Sequence, residues 1–366
     1  VRNAPQGTGY GYLCSGIEVQ PTDYQGKMIL LVDNTLAAGL SAEIAQLEAD
    51  LKADGWVTIK HLVAPNATVT SVRNLVIGSY NTDPANVKCV YIIGHVPVPY
   101  SGNMAPDGHT DTHLGAWPCD GYYAELTSTW TDNTVNETSG WIDNRNIPGD
   151  GKFDQSDFPS SVELQIGRID LGDMPAFATT HTQRLSTYLN KAHNFKVKGF
   201  TPVVRGIVYD DLQDVPTPLA GSGWMSIAPL VGAANLTEAT PNQNVWLKDL
   251  VNNQSYLWTY GSGGGLIGND NGVLMFNYLN KNAATADIVG GVQWGGVFNM
   301  CFGSYVGDWN NRNNVMRAVL NSGNALTHVF SGEPNYWFHT MGMGEHIGRA
   351  IRQSMNNGTI YTPQTG

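Results

Sequence analysis

Short apolar runs, each closed by a glycine or an acid, recur along this chain at intervals that a helix would fill. Lys27-Met28-Ile29-Leu30-Leu31-Val32-Asp33 reads as a buried strand. Ser41 can cap a helix whose apolar positions Ile44, Leu47 and Leu51 recur at helical spacing and stop at Gly55. Val57 to Val63 is the next strand, Thr68 to Ser79 the next helix, and Val87 to Gly94 a third strand. Strand, helix, strand, helix, strand predicts a parallel sheet covered on both faces.

From His95 to Ser161 the periodicity fails and turn residues dominate, so this stretch reads as a long loop of functional or ion-ordered type. Val162 to Arg168 restores a strand, and the second half repeats the pattern. It predicts a helix over about Pro175 to Lys196, a strand Val203 to Tyr209, and a helical segment Asn244 to Asn252. A strand Tyr256 to Tyr260 then runs into the glycine loop Gly261 to Gly265, and a strand follows around Val297 to Cys301. The last elements are a helix Asn313 to Ser322, a short strand Ala325 to Phe330 and a helix Gly344 to Met355. The expectation is an α/β chain built as two parallel-sheet subdomains. An N-terminal extension covers 1–26, the first subdomain 27–170 with its long loop at 95–161, and the second 171–366.

Composition narrows the partners. The 366 residues can bury a large core. The net charge is −11 with only 14% charged residues, which argues against nucleic acid. The 42 glycines and 10 tryptophans point to a secreted or cell-surface protein. No apolar stretch approaches the roughly 18 residues of a membrane helix. The four cysteines lack CxxC or zinc-finger spacing, and a Cys14–Cys119 bridge is the one pairing considered.

The run Val297-Phe298-Asn299-Met300-Cys301-Phe302-Gly303 ends an apolar strand in a thiol followed by a glycine turn. A strand that delivers a nucleophile to its C-terminal edge has this form, and the backbone N–H groups of the turn can face an oxyanion. The competing reading is a small core residue at a strand end, since free Cys is among the most buried types.

An ordered series of segments resembles the gingipain-like, caspase-fold cysteine peptidases of family C25. Tyr91-Ile92-Ile93-Gly94-His95-Val96-Pro97 looks like that family's strand ending in Gly-Asp. Cys119-Asp120-Gly121-Tyr122-Tyr123 looks like its Ser-Asp-x-x-Tyr segment, and Val162 to Arg168 like its Glu-Val-x-Ile-Gly-Arg strand. Tyr260 with the glycine loop stands where the family has Gly-His-Gly, and Phe298 to Gly303 resembles its nucleophile segment. The resemblance runs from about Lys27 to the C-terminus and implies a caspase/gingipain-like second subdomain. It implies Cys301 as nucleophile, Glu163 as the acid orienting the base, and the Gly303 loop as oxyanion site. The family's histidine falls at Ser262 or Gly263, neither of which takes a thiol proton near neutral pH. It also implies a bacterial, secreted or surface-exposed protein.

Two further stretches carry chemistry. In Asp107-Gly108-His109-Thr110-Asp111-Thr112-His113, the acids and imidazoles alternate, so an extended backbone would turn Asp107, His109, Asp111 and His113 to one side. They suit zinc, or His109 or His113 could serve as a base relocated beside Cys301; a polar turn is the plain alternative. Asp143, Asn146, Asp150, Asp154 and Asp157 crowd a glycine-rich segment that resembles a calcium loop without EF-hand spacing.

The sequence favours a gingipain-like domain that has lost catalysis and serves as a structural or binding part of a surface protein, with a protein or glycan partner. The alternative is an active cysteine peptidase that uses Cys301 with a base from outside the glycine loop. Asp210 and Asp211, at a strand end, would then favour a basic substrate side chain.

Overall fold

The computed structural model describes residues 2–4, 7–9, 23–110, 113–215, 219–239, 245–270, 273–279, 282–332 and 335–357. Cys14, Asp111 and most of the expected extension lie outside them.

Two parallel sheets carry the architecture. The first has four strands in the order Trp56–Val63, Gly26–Asp33, Val87–Ile93, Gln165–Ile169. The second has five, in the order Leu236–Ala239, Gly206–Asp210, Tyr256–Ser262, Gly296–Phe302, Thr327–Phe330. The strands expected at Met28, Val57, Val87, Tyr256 and Val297 all form.

Side-chain alternation sorts each strand between two cores. Ile29, Leu31, Val90 and Ile92 pack with Val72 and Val76 of the helix Val69–Thr82, whose N-terminus is capped by the Thr68 side chain. Met28, Leu30 and Val32 turn the other way, into a core shared with Leu185 and Leu189 of the helix His181–Lys196. Because both faces are covered, these strands read as unbroken apolar runs rather than alternating ones. The same core continues into the second sheet through Val297, Cys301, Val315 and Val319. On that sheet's other face, Val208, Trp258, Tyr260, Met300 and Phe302 pack with Ile227 and Phe338.

Several boundaries differ from expectation for local reasons. The helix expected from Pro175 starts at His181, because Thr180 and Gln183 form a capping box there. The strand expected from Val203 starts at Gly206, leaving Val203 and Val204 more than half exposed at 53% and 55%. Gly206 is needed at that point, since a Cβ there would lie 2.2 Å from Ile227 Cγ2. The helix Gly221–Val231, with Pro229 inside it, was not anticipated. Its Gly223 lets the helix approach the Tyr260 ring, which an added Cβ would meet at 2.5 Å.

The 95–161 stretch is organised by aromatic packing and buried polar pairs. A hairpin joins Tyr100–Met104 to Gly115–Pro118, Tyr122 stacks on Phe153 at 4.2 Å, and Trp130 meets Tyr122 edge-on at 5.1 Å. Arg73 reaches across from its helix to Glu125 at 3.1 Å. Among the described residues no helix is long and apolar enough to cross a membrane.

Candidate functional site

Strand register sets the geometry of the C-terminal edge of the second sheet. Parallel pairing places Gly261 beside Cys301, and Ser262 between Phe302 on one side and Asp210 on the other. The glycine loop and the cysteine strand therefore end together, where open α/β sheets form crevices.

The thiol itself is closed off. Cys301 is free and 3% exposed, and burial pushes its pKa well above the ordinary 9.0. It lines a cavity of about 20 Å³ with Leu247, Val315, Val319 and His328, too small for more than a water molecule. His328 is an imidazole at the wall of that cavity. Burial lowers its pKa to about 4, and Nδ1 donates to the Met316 carbonyl at 3.2 Å. Proton transfer from a raised thiol to so weak a base is uphill by several kcal/mol.

Ser262, at the position where the resemblance expects a base, is fully buried and donates its hydroxyl to Asp210 Oδ1 at 2.5 Å. Asp210 also accepts the Leu212 N–H at 3.0 Å, and Asn282 Nδ2 donates to the Ser262 carbonyl at 2.8 Å. The Gly263 N–H is spent on the Phe302 carbonyl at 3.1 Å, and the Gly303 carbonyl accepts the Val306 N–H in the turn that follows the strand. Glu163 stands just before the strand Gln165–Ile169 of the first sheet. There it accepts the Leu126 N–H at 2.7 Å and the Thr127 hydroxyl at 3.2 Å. Among the described residues none of its hydrogen bonds runs to a histidine.

The alternating Asp/His stretch does reach this edge, but two residues beyond the cysteine strand. His109 Nε2 lies 2.8 Å from Ser304 Oγ, and its ring stacks on Tyr305 with centroids 5.0 Å apart and planes 14° from parallel. Asp107 ties the two loops together: Oδ2 accepts the Tyr305 N–H at 2.9 Å, and Oδ1 accepts the His109 N–H at 3.2 Å. Tyr305 holds a left-handed φ of 62°, a conformation a bulky side chain adopts only under surrounding constraint.

His113 is fully buried behind this contact. Nδ1 meets Asp107 at 2.7 Å and Nε2 faces Asp308 at 3.5 Å. Burial would lower its pKa, but the hydrogen bonds and charges of Asp107 and Asp308 outweigh that and raise it. Asp107 is lowered in turn: burial opposes the shift, and His113 and the backbone N–H groups of Tyr305 and His109 carry it. The described ring nitrogens of this stretch are therefore directed to different partners, and among the described residues no group of three or more His, Cys, Asp or Glu is arranged to hold a metal ion.

In the acidic loop, Asp154 accepts the Asn133 and Thr134 N–H groups, and Asp150 accepts those of Ile147 and Lys152. Buried Asn146 donates Nδ2 to the Phe153 carbonyl at 3.0 Å. Asp143 offers its carbonyl, with that of Arg145, to the Lys152 ammonium at 2.6 and 2.7 Å. Asp157, Ile142 and Ile147 stay exposed.

Sequence reading had no signal for Ser304 or Asp308, which became visible only once the chain placed them against residues nearly 200 positions away, 195 for Ser304 and His109. A larger cavity of about 260 Å³ lies between the sheets, with Arg168, Arg317, Asp120 and Asp170 at its polar side and Phe330 and Ile351 at its apolar side. Arg168 is held there by a two-point contact to Asp120, 2.8 Å at each nitrogen.

No family model and no curated protein matches the chain. Among solved structures it is similar to the Arg-specific cysteine proteinase gingipain R (RgpB). The TM-score is 0.55 at 10% identity, over 92% of this chain and 72% of that one. The complex of Porphyromonas gingivalis RgpB pro- and mature domains gives 0.52 at 10% identity, over 90% and 73%. A structure described only as a protease gives 0.51 at 10% identity, over 87% and 61%. At such identity these likenesses speak for the backbone alone, and what they establish is that this chain has the caspase/gingipain-like α/β fold.

Proposed function

We infer that this chain is a gingipain-like domain, secreted or displayed at a bacterial surface, that no longer uses Cys301 for catalysis and serves to bind a protein or peptide. The observation that carries this reading is the state of the thiol. It is buried in the shared core, its pKa is raised by that burial, and the imidazole that lines its cavity among the described residues, His328, is held neutral. An attacking thiolate needs the opposite surroundings: partial exposure and a nearby cation or base.

Ser262 supports the same reading. A hydroxyl locked to Asp210 cannot shuttle a proton to a leaving amine. A protein or peptide partner is supported by a neighbour of this fold that was solved as a complex of its pro- and mature domains.

The test is cleavage of fluorogenic peptides carrying Lys or Arg at the cleavage position by the native chain. Turnover is expected to stay at the buffer rate. Turnover that vanishes in Cys301→Ala would overturn the reading and restore an active cysteine peptidase.

Calcium on the acidic loop is a separate proposal. The ion would take the carbonyl oxygens of Asp143 and Arg145 in place of the Lys152 ammonium, with Asp150, Asp154 and Asp157 near enough in sequence to add carboxylates.

A further inference from the structure

Ser304 and His109 are the one hydroxyl–imidazole pair that the described residues bring into contact at the C-terminal edge of the second sheet. We propose that Ser304 is a catalytic nucleophile, with His109 as its base, in a site that cleaves carboxylic esters bearing apolar acyl groups. This goes beyond the binding role inferred above and does not depend on the state of Cys301.

The geometry meets the first requirement of nucleophilic catalysis, a hydroxyl within hydrogen-bond reach of an imidazole nitrogen, here 2.8 Å. Both side chains are half-buried, so a substrate can reach them, in contrast to Cys301. Their positions are fixed rather than incidental. Ser304 follows the strand Gly296–Phe302 by two residues, and the next residue, Tyr305, is held at φ 62°. Asp107 accepts N–H groups from both Tyr305 and His109, so one carboxylate sets the separation of the two loops. The glycine loop closes the other side. A Cβ at Gly265 would lie 1.7 Å from the Ser304 carbonyl oxygen, so only glycine lets that backbone come so near. At neighbouring Gly264 an added Cβ would meet nothing within 4 Å.

The surroundings choose the substrate class. Trp141 meets the Tyr305 ring edge-on at 6.0 Å, and its neighbour Ile142 is 72% exposed. Trp141, packed on the ring of Tyr305 beside the pair, and exposed Ile142 after it suit an apolar acyl group. Among the described residues no carboxylate bonds the second ring nitrogen of His109. Among those residues the imidazolium formed during attack has no stabilising acid. An ester is the substrate that such a pair opens most readily, since its alkoxide or phenoxide leaves more easily than an amine.

The chemistry balances without a cofactor. Ser304 Oγ attacks the acyl carbon while His109 Nε2 takes the hydroxyl proton. The acyl–oxygen bond to the alcohol breaks, and the leaving oxygen takes that proton back from His109. Water then attacks the acyl-serine and gives a proton to His109; the acyl–Oγ bond breaks, His109 returns that proton to Ser304 Oγ, and the acid leaves.

The experiment uses the whole chain, an alkyl fluorophosphonate probe and p-nitrophenyl butyrate. Labelling at Ser304, located by peptide mass spectrometry, and ester turnover are both expected. Both should fall by about a hundredfold or more in Ser304→Ala and in His109→Gln, the usual weight of a general base, and persist in Cys301→Ala. A Ser304→Cys variant keeps the question open to disproof if Ser304→Ala is unstable. Its new thiol should react with iodoacetamide faster than Cys301 of the same molecule, and about tenfold more slowly once His109→Gln is added. Labelling at another serine, no labelling of the folded chain, or a Ser304→Cys thiol indifferent to His109 would each overturn the assignment. Turnover of peptides in preference to the ester would overturn the substrate class. Since Cys301→Ala decides the earlier reading and Ser304 decides this one, the two can fail separately.

Discussion

Ser262 Oγ and Asp210 Oδ1 lie 2.5 Å apart on adjoining parallel strands, a closed hydroxyl–carboxylate pair at the position where the sequence resemblance expects an imidazole. The pair is held on all sides, with Asn282 on the Ser262 carbonyl and the Leu212 N–H on Asp210. Replacing Ser262 by His should therefore not restore a base. The larger ring has no room at a position of 0% exposure, and overpacking of this kind costs about 1–3 kcal/mol. The expected result is a lower urea midpoint and no peptide cleavage. Ser262→Ala should cost less, about 1–2 kcal/mol for the lost buried hydrogen bond.

Cys301 behaves in this account as a core side chain, and polarity is the way to show it. Cys301→Ala removes one sulfur from a packed core, whereas Cys301→Ser buries a hydroxyl where the cavity wall is mainly apolar. An unpartnered buried hydroxyl costs about 1–3 kcal/mol, so Ser should destabilise more than Ala by that order. Chemical denaturation of the two variants measures the difference. A Ser variant as stable as the native chain would mean the site is polar or wet.

The buried Asp107–His113–Asp308 cluster should give stability a specific pH signature. His113 is raised above its ordinary 6.5, so its contribution is complete below about that pH and is lost as pH rises through the higher folded value. Asp107 is lowered below 3.8, so its contribution is present above that pH and lost as pH falls through the folded value. His328, lowered to about 4, has the opposite sign to His113 and costs stability as pH falls below the unfolded value. The readout is therefore the difference between native and His113→Gln chains. Their stability gap should be wide near pH 6 and narrow as pH rises into the alkaline range. A constant gap would contradict a charged His113.

The central strands were legible because runs such as Met28 to Val32 and Val90 to Ile93 are covered on both faces, so the apolar pattern is continuous and ends abruptly at Asp or Gly. The helix Gly221–Val231 was not, since Gly221, Ser222, Gly223 and Pro229 are weak helix formers and packing against Tyr260 decides the matter. Sequence order also brought Cys301 and Ser262 correctly to one edge, through strands that end in glycine loops. What it could not convey was depth. The same apolar run that marks a strand leading to a nucleophile also marks a strand lying inside a core. His109 stood out as a candidate base, yet its partner is Ser304, which no local pattern distinguishes.

Calcium gives the acidic loop its own test. Asp154, held near a pKa of about 2 by the Thr131, Asn133 and Thr134 hydrogen bonds despite its burial, is ionised at any working pH. If calcium joins this loop, exhaustive chelation lowers the melting temperature of the native chain, and Lys152→Met, which frees the Asp143 and Arg145 carbonyls, enlarges the rise on adding calcium. A melting temperature indifferent to chelator and to calcium in both chains would remove the proposal.

The most direct measurement of the central claim is the rate at which iodoacetamide alkylates Cys301 in the folded chain, followed site by site by mass spectrometry. Cys301 should resist alkylation from pH 6 to pH 8 and react at the rate of an ordinary thiol only after unfolding. Rapid alkylation of Cys301 at pH 6 in the native chain would contradict it, because only an exposed and activated thiolate reacts there.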